Sequence, residues 1–317
     1  MDSIQPDIAV VIPLYNKEET IGRALKSVTS QKLLPAEVIV VDDGSTDDSL
    51  KTVREFAEKF HFLKWFSQEN GGVSSARNAG AAAATARTLC FLDADDAWEP
   101  GYLEEMARLI QQYPEADFFS LRYRIHRNGQ FEYPSVFCKE NFSGIVPDFL
   151  TAYRKGYGLI HSSSVSIRRS FFEELGGFPE GIPNGEDIWL WLRAGIYGTF
   201  AFSAKIGTTV HREDFTAEMR RREHVPYHLE AYVREMDLFP PPVQRRLKRF
   251  LMKNLAIHWA AAKTEQNRWL SDKLLVYARQ LNGFYGFGMR MANLLPADLF
   301  YYLARKRVSS RQKEPGT

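Results

Sequence analysis

The stretch Leu89-Cys90-Phe91-Leu92-Asp93-Ala94-Asp95-Asp96-Ala97-Trp98 sets four apolar residues of strand character directly against three carboxylates within four positions. A buried strand emptying into acidic side chains at its C-terminal mouth is the place where open α/β sheets bind ligands. Carboxylates packed this tightly repel one another unless cations or hydrogen-bond donors offset their charge, and hard oxygen donors suit Mg²⁺ or Mn²⁺. An acidic turn capping the helix that begins near Pro100 would give the same string. The flanking sequence decides between the two.

Upstream, Ile8-Ala9-Val10-Val11-Ile12 is a continuous apolar run closed by Pro13, the pattern of a parallel strand buried on both faces. Ile21, Leu25 and Val28 follow at helical spacing, and a second apolar strand, Glu37 to Val41, runs into Asp42-Asp43-Gly44-Ser45-Thr46-Asp47. Strand, helix, strand makes a right-handed βαβ unit. Ser45 or Thr46 is expected to cap the next helix, whose apolar face is Leu50, Val53, Phe56 and Phe60. A third strand is expected over 62–66. The turn Asn70-Gly71-Gly72 then opens an alanine-rich helix that leads to the acidic strand end. Three strand ends therefore carry polar motifs on one sheet edge, which predicts an α/β fold with a Rossmann-like, mostly parallel central sheet flanked by helices.

Downstream, Pro100 opens a helix carrying Tyr102, Leu103, Met106 and Leu109. Strands are expected over 117–125 and 130–137, joined through the hairpin signal Asn128-Gly129, and over 162–167. The glycine- and proline-rich loop 176–185 empties into Glu186-Asp187, two carboxylates at a helix N-terminus.

With 317 residues, 44% apolar and 25% charged, the chain can bury a large core. Its net charge of +2 is unevenly spread: from Pro240 onward fifteen Lys/Arg face four Asp/Glu. This divides the chain into a domain at 1–239 and a basic helical extension at 240–317. Within the extension Val243, Leu247, Phe250 and Leu251 share a face and Arg245, Arg246, Lys248, Arg249 and Lys253 crowd the remainder, a basic amphipathic helix that reads either as a solvated cap on the preceding domain or, with aromatics interleaved among the basic residues, as an anchor at an anionic membrane surface. Aromatics from Phe284 to Tyr302 and the run Arg305-Lys306-Arg307 follow, and the last ten residues are expected to be disordered. The acidic N-terminal half and the absence of a recognisable motif argue against a nucleic-acid partner. Cys90 and Cys138 are expected in apolar core, with no disulfide or metal framework. No signal peptide or apolar span is read, so the expected location is cytoplasmic, with peripheral attachment at the inner face of the membrane.

Five motifs now stand in order: Val11-Ile12-Pro13-Leu14-Tyr15-Asn16-Lys17-Glu18, Val41-Asp42-Asp43-Gly44-Ser45-Thr46-Asp47, Asn70-Gly71-Gly72 with Ala76-Arg77-Asn78, Phe91-Leu92-Asp93-Ala94-Asp95-Asp96, and Gly185-Glu186-Asp187. Over roughly residues 7 to 215 the chain closely resembles family 2 inverting glycosyltransferases. The resemblance implies a GT-A fold and transfer of a sugar, of hexose type, from a nucleoside-diphosphate sugar, UDP-linked first of all, to an acceptor hydroxyl in cell-surface glycan or polysaccharide synthesis. It implies that Pro13, Tyr15 and Asp43 hold base and ribose, that Arg77 lies near the nucleotide, and that Asp93 holds ribose or the metal shell. Asp95 would contact Mn²⁺ or Mg²⁺, and His211 would be a further metal ligand. Asp187 would be the general base of a single inverting displacement, and the acceptor a glycan or a lipid-linked saccharide. The Q-x-x-R-W motif of membrane-embedded polysaccharide synthases is missing after Asp187, which favours single addition. A nucleotidyltransferase would carry a glycine-rich basic segment where Pro13-Leu14-Tyr15-Asn16 stands, and a dehydrogenase a G-x-G-x-x-G after the first strand. A non-catalytic carbohydrate- or membrane-binding scaffold would be expected to lack Asp93, Asp95 or Asp187, all of which are present.

Overall fold

In the computed structural model, residues 7–212 and 224–281 are described, and the chain divides into two compact units, Met1–Phe215 and Thr216–Thr317. The first is built around β1 (Ile8–Leu14), every residue of which is buried. It continues through α1 (Ile21–Thr29), β2 (Glu37–Asp42), α2 (Ser49–Ala57), β3 (Leu63–Ser67), α3 (Val73–Ala83), β4 (Thr88–Phe91) and β5 (Ala97–Trp98). Then come α4 (Tyr102–Gln112), β6 (Phe118–Arg127), β7 (Gln130–Glu132), β8 (Ser143–Ile145), α5 (Phe149–Lys155), β9 (Val165–Arg168), α6 (Arg169–Glu174), α7 (Glu186–Tyr197) and β10 (Phe200–His211).

The sheet runs β3-β2-β1-β4-β9-β6-β10-β5, with β7 on β6 and β8 on β10. From β3 to β4 all pairing is parallel, as apolar strands flanked by helices require. Beyond β4, β9 pairs antiparallel with both β4 and β6, while β6 and β10 run parallel. Strand order reverses between β1 and β4, and open α/β sheets form their ligand crevice at the C-terminal ends of strands at such a point.

Two packing features aim side chains at that crevice. A Cβ added at Gly80 of α3 would lie 2.4 Å from Val11 Cγ1, so a glycine here lets α3 lie directly on β1 and brings Arg77, one turn earlier, over the strand ends. On α7, Trp191 is buried against Phe91, the last residue of β4, and Phe178, with ring centroids 6.3 and 5.5 Å apart. This aromatic cluster ties the helix bearing Asp187 to the strand that empties into Asp93.

Several local expectations are corrected. Asp47, rather than Ser45 or Thr46, holds the start of α2: its Oδ1 accepts from the Ser49 amide at 3.0 Å. Ser45 Oγ and the Thr46 amide are engaged with Asn16 instead. The hairpin forms with Asn128 and Gly129 both at positive φ (50° and 75°), but β7 stops at Glu132. Pro134 follows two residues later and cannot donate to a ladder. Ser162–Ser164 is a 3-10 turn that precedes β9. Cys90 is buried, whereas Cys138 is only half-buried.

The second unit contains α8 (Tyr227–Arg234), α9 (Pro241–Thr264) and α10 (Arg268–Leu281). Pro240–Pro242, the expected domain boundary, opens α9 inside this unit. The apolar stripe of α9, with Leu247, Phe250, Leu251, Leu255 and Trp259, is buried, as are Leu270 and Leu274 of α10 and Leu229 and Tyr232 of α8. The three helices thus cover one another's apolar faces, while Arg245 and Arg249 stay exposed. No helix among the described residues is long and apolar enough to cross a membrane. The aromatic stretch 284–302, the run 305–307 and the final ten residues lie outside the described residues.

Candidate active site

At the C-terminal edge of the parallel strands, a cleft of about 380 Å³ is lined by Pro13, Leu14, Tyr15 and Lys17 after β1, Asp43 after β2, Asn70 to Arg77 at the start of α3, and Asp93 to Asp95 after β4. Six of the eight residues singled out from sequence meet here: Pro13, Tyr15, Asp43, Arg77, Asp93 and Asp95. Asp187 and His211 are not among those lining it.

Each wall is fixed by hydrogen bonding. Asn16, at φ 49°, accepts from the Thr46 amide through Oδ1 at 2.8 Å and donates its own amide to Ser45 Oγ, knitting the first two loops together. Asp43 is buried, and its Oδ1 accepts from the Gly71 amide and from Gln68 Nε2 at 2.9 and 2.8 Å. Its Oδ2 accepts from the Gly72 amide at 2.8 Å, which leaves one carboxylate lone pair uncommitted. Tyr15, 48% exposed, stands at the mouth with its ring open to a planar ligand.

Arg77 is the buried cation of the site. Its NH2 lies 2.6 Å from Asp93 Oδ1, its NH1 3.6 Å from Glu186 Oε1, and its guanidinium 5.1 Å from the centre of the Phe178 ring. Burial alone would lower its pKa, but Asp93, Glu186 and Asp187 outweigh burial and hold it above the ordinary arginine value. Burial likewise works against the Asp93 carboxylate, yet Arg77 and His161 prevail and keep its pKa lowered. Glu186 has the opposite balance: burial, reinforced by the adjacent Asp187 charge, pushes it up to about 7 against the pull of Arg77.

Asp95 is about one-third exposed, and its Oδ2 lies 2.7 Å from Lys17 Nζ. Asp96 is buried. Its Oδ2 accepts from Ser163 Oγ and its Oδ1 from the His211 amide at 3.0 Å. Burial and the charges of Asp93 and Asp95 push the Asp96 pKa well up. His161 Nδ1 accepts from the Ser163 amide at 3.2 Å, which puts the proton of the neutral ring on Nε2, and burial depresses its basicity. Asp93, Asp96 and His161 offer ligand atoms within 4.8 Å of one another, the one such acid–histidine group among the described residues. Two carboxylates and an imidazole match a hard or borderline divalent cation.

Asp187 occupies the first turn of α7, and its Oδ1 accepts from the Ile188 amide at 2.6 Å. Its charge is felt at Arg77, His161, Tyr123 and Tyr153, so it belongs to the same electrostatic neighbourhood. His211 ends β10 opposite His126, the two rings 5.4 Å apart.

Sequence reading gave no site role to Lys17, His161 and Ser163, and took Asp96 only as one of three clustered carboxylates. Ser163 is a hub. It accepts from the Asp93 amide through Oγ, donates to Asp96, and through its carbonyl accepts from Trp98 Nε1 and Thr208 Oγ1. The polar run His161-Ser162-Ser163-Ser164 immediately before an apolar strand was the available signal.

The description "Glycosyl transferase family 2" matches residues 9–176, more than half of the chain. Glycosyltransferase GlyA of Streptococcus pneumoniae is 31% identical over 182 residues, covering 54% of this chain and 26% of that protein. A cholesterol galactosyltransferase of Borreliella burgdorferi is 37% identical over 97 residues, 31% of this chain and 27% of that one. The chain thus spans about a quarter of the length of these curated relatives. Among solved structures, S. aureus TarS 1-349 in complex with UDP-GlcNAc superimposes with a TM-score of 0.74 at 19% identity, covering 94% of this chain and 92% of that one. Fold and family profile agree, and the chain belongs to glycosyl transferase family 2, with the GT-A architecture.

Proposed function

We propose that the chain transfers a hexose from a UDP-sugar to an acceptor hydroxyl, with inversion, in the synthesis of a cell-surface glycan or polysaccharide. The observation that carries this reading is the convergence of Pro13, Tyr15, Asp43, Arg77, Asp93 and Asp95, drawn from four chain segments, on one cleft. The complexes of S. aureus TarS 1-349 with UDP-GlcNAc and with UDP support a uridine nucleotide as the donor moiety.

In this reading Tyr15 stacks on the base and the remaining Asp43 lone pair accepts from the imide N–H of uracil. Arg77 keeps Asp93 charged and oriented toward the ribose. Asp187, with Oδ1 held by its neighbouring amide, uses its other oxygen to take the acceptor proton. The acceptor oxygen then bonds to the anomeric carbon as the bond from that carbon to the diphosphate breaks on the opposite face. A divalent cation, Mn²⁺ or Mg²⁺, held by Asp95 with His211, would offset the charge that develops on the leaving diphosphate. The cluster of Asp93, Asp96 and His161 supports a second placement of that cation. Loss of Mn²⁺ affinity in Asp95→Asn favours the first placement, and loss in His161→Ala the second.

The reading is tested by nucleoside-diphosphate release from UDP-, GDP- and dTDP-sugars, with Mn²⁺, with Mg²⁺ and with EDTA. Metal-dependent release from a UDP-sugar should fall by about 10²- to 10⁴-fold in Asp187→Asn while UDP binding is kept. Undiminished release in that variant would remove Asp187 as base, and failure to bind any of the three nucleotides would remove the transferase reading. The acceptor is a glycan or a lipid-linked saccharide, met at an anionic cytoplasmic membrane face by the exposed basic residues of α9.

A further inference from the structure

Lys17 has no role in the reaction described so far. Its side chain lines the cleft next to Asp95, and Nζ rests 2.7 Å from Asp95 Oδ2, both side chains about one-third exposed. Its backbone is fixed, because the amide donates to Ser49 Oγ at 2.8 Å and the carbonyl accepts from the amides of Thr20 and Ile21. Only the flexible aliphatic stem and its ammonium are left to move. The nearby arginines are committed elsewhere: Arg23 NH2 donates to the Asp95 backbone carbonyl at 2.6 Å, and Arg77 is buried on Asp93. Lys17 is thus the exchangeable counter-charge of the Asp95 carboxylate.

A divalent cation on the Asp95 carboxylate repels the Lys17 ammonium and competes with it for the same negative charge. An exposed ion pair is weak enough to be exchanged. We infer that Lys17 is a donor-coupled counter-ion: it neutralises Asp95 in the free protein and moves to a phosphate oxygen of the nucleoside diphosphate when cation and nucleotide occupy the cleft together. This rests on the proposed reading that Asp95 holds the cation. Lys17 then acts with opposite signs on the two ligands, weakening cation binding to the free protein and strengthening nucleotide binding once the cation is present. Cation and nucleotide therefore bind with positive coupling.

The test measures free Mn²⁺ by electron paramagnetic resonance and UDP binding by calorimetry in saturating Mn²⁺, on the full chain. The proteins are wild type, Lys17→Gln, Asp95→Asn and the double variant, with thermal melting to confirm that each is folded. Lys17→Gln should tighten Mn²⁺ binding about two- to five-fold and weaken UDP binding about three- to ten-fold. The Mn²⁺ gain should vanish in the Asp95→Asn background, as a direct pair requires. Unchanged or weaker Mn²⁺ binding in Lys17→Gln overturns the inference, as does unchanged UDP affinity or a gain that persists without the Asp95 carboxylate. Wild-type Mn²⁺ affinity in Asp95→Asn alone would remove the Asp95 reading on which the inference stands.

Discussion

Glu186 is the side chain whose replacement has the most quantitative consequence. It is buried at the N-terminus of α7, adjacent to Asp187 and 3.6 Å from Arg77, and burial followed by the Asp187 charge raises it to about 7 from 4.5. A carboxyl whose folded pKa exceeds its unfolded pKa binds its proton more tightly in the folded state. Its contribution to stability is therefore complete below pH 4.5 and is lost as pH rises through 7. The shift corresponds to a loss on the order of 3 kcal/mol across that window, with a steepest slope of about 1.4 kcal/mol per pH unit. Glu186→Gln keeps the size and removes the titration. The stability of wild type minus that of the variant should accordingly fall by on the order of 3 kcal/mol between pH 4.5 and 8. Hydrogen exchange of the buried amides of β1, corrected for intrinsic rates, reads the global opening of the first unit at each pH. A difference that stays flat with pH, or that grows toward alkaline pH, would refute the assignment of Glu186 as a buried acid under strain from Asp187.

Three further outcomes follow from the same geometry. Asp43→Asn replaces an acceptor oxygen by a donor opposite the Gly71 or Gly72 amide, and should lower stability by about 2–3 kcal/mol; an unchanged melting temperature would contradict the hydrogen bonding described for Asp43. Gly80→Ala sets a methyl 2.4 Å from Val11 Cγ1, so α3 must shift, with a loss of about 1–3 kcal/mol and weaker UDP binding because Arg77 moves with the helix. Co-sedimentation of the full chain with phosphatidylglycerol vesicles should drop at least tenfold in Arg245→Glu/Arg249→Glu, at about 1 kcal/mol per basic residue. Equal binding of both proteins would separate α9 from any membrane contact. Charge reversal is the cleaner perturbation here, because truncation at residue 240 would strip α8 of its packing partners.

Legibility varied with the distance over which each interaction acts. The first two strands could be read because a short apolar run rich in β-branched residues and closed by a proline or by aspartates has few alternatives to a strand buried on both faces. Pro13, Tyr15, Asp43, Arg77, Asp93 and Asp95 were named through the family resemblance, and their convergence has a simple physical basis, since parallel pairing carries successive strand ends to one edge. The helix cap was misread because Asp47 and Ser45 are equally good local acceptors. What separates them is Asn16, twenty-nine residues before Ser45, which engages Ser45 in the loop pairing. The amphipathic face of α9 was legible as a pattern, but that α8 and α10 bury it was not.

The sequence by itself determined the chemistry on offer: strands that end in acids, a glycine turn that opens a helix, and a carboxylate pair at a helix start. These are properties of residue type and spacing, which survive in any fold that keeps the strand order. Only the tertiary structure decided how those groups are charged and paired. Lys17 meets Asp95 across 78 residues and Ser163 meets Asp96 across 67, while Arg77 is shared between Asp93 and Glu186. Whether a carboxylate is an ion-pair partner, a strained acid or a cation ligand depends on burial and on separations of a few ångströms. Those are set by how α3 and α7 pack on β1 and β4, and no linear pattern encodes them.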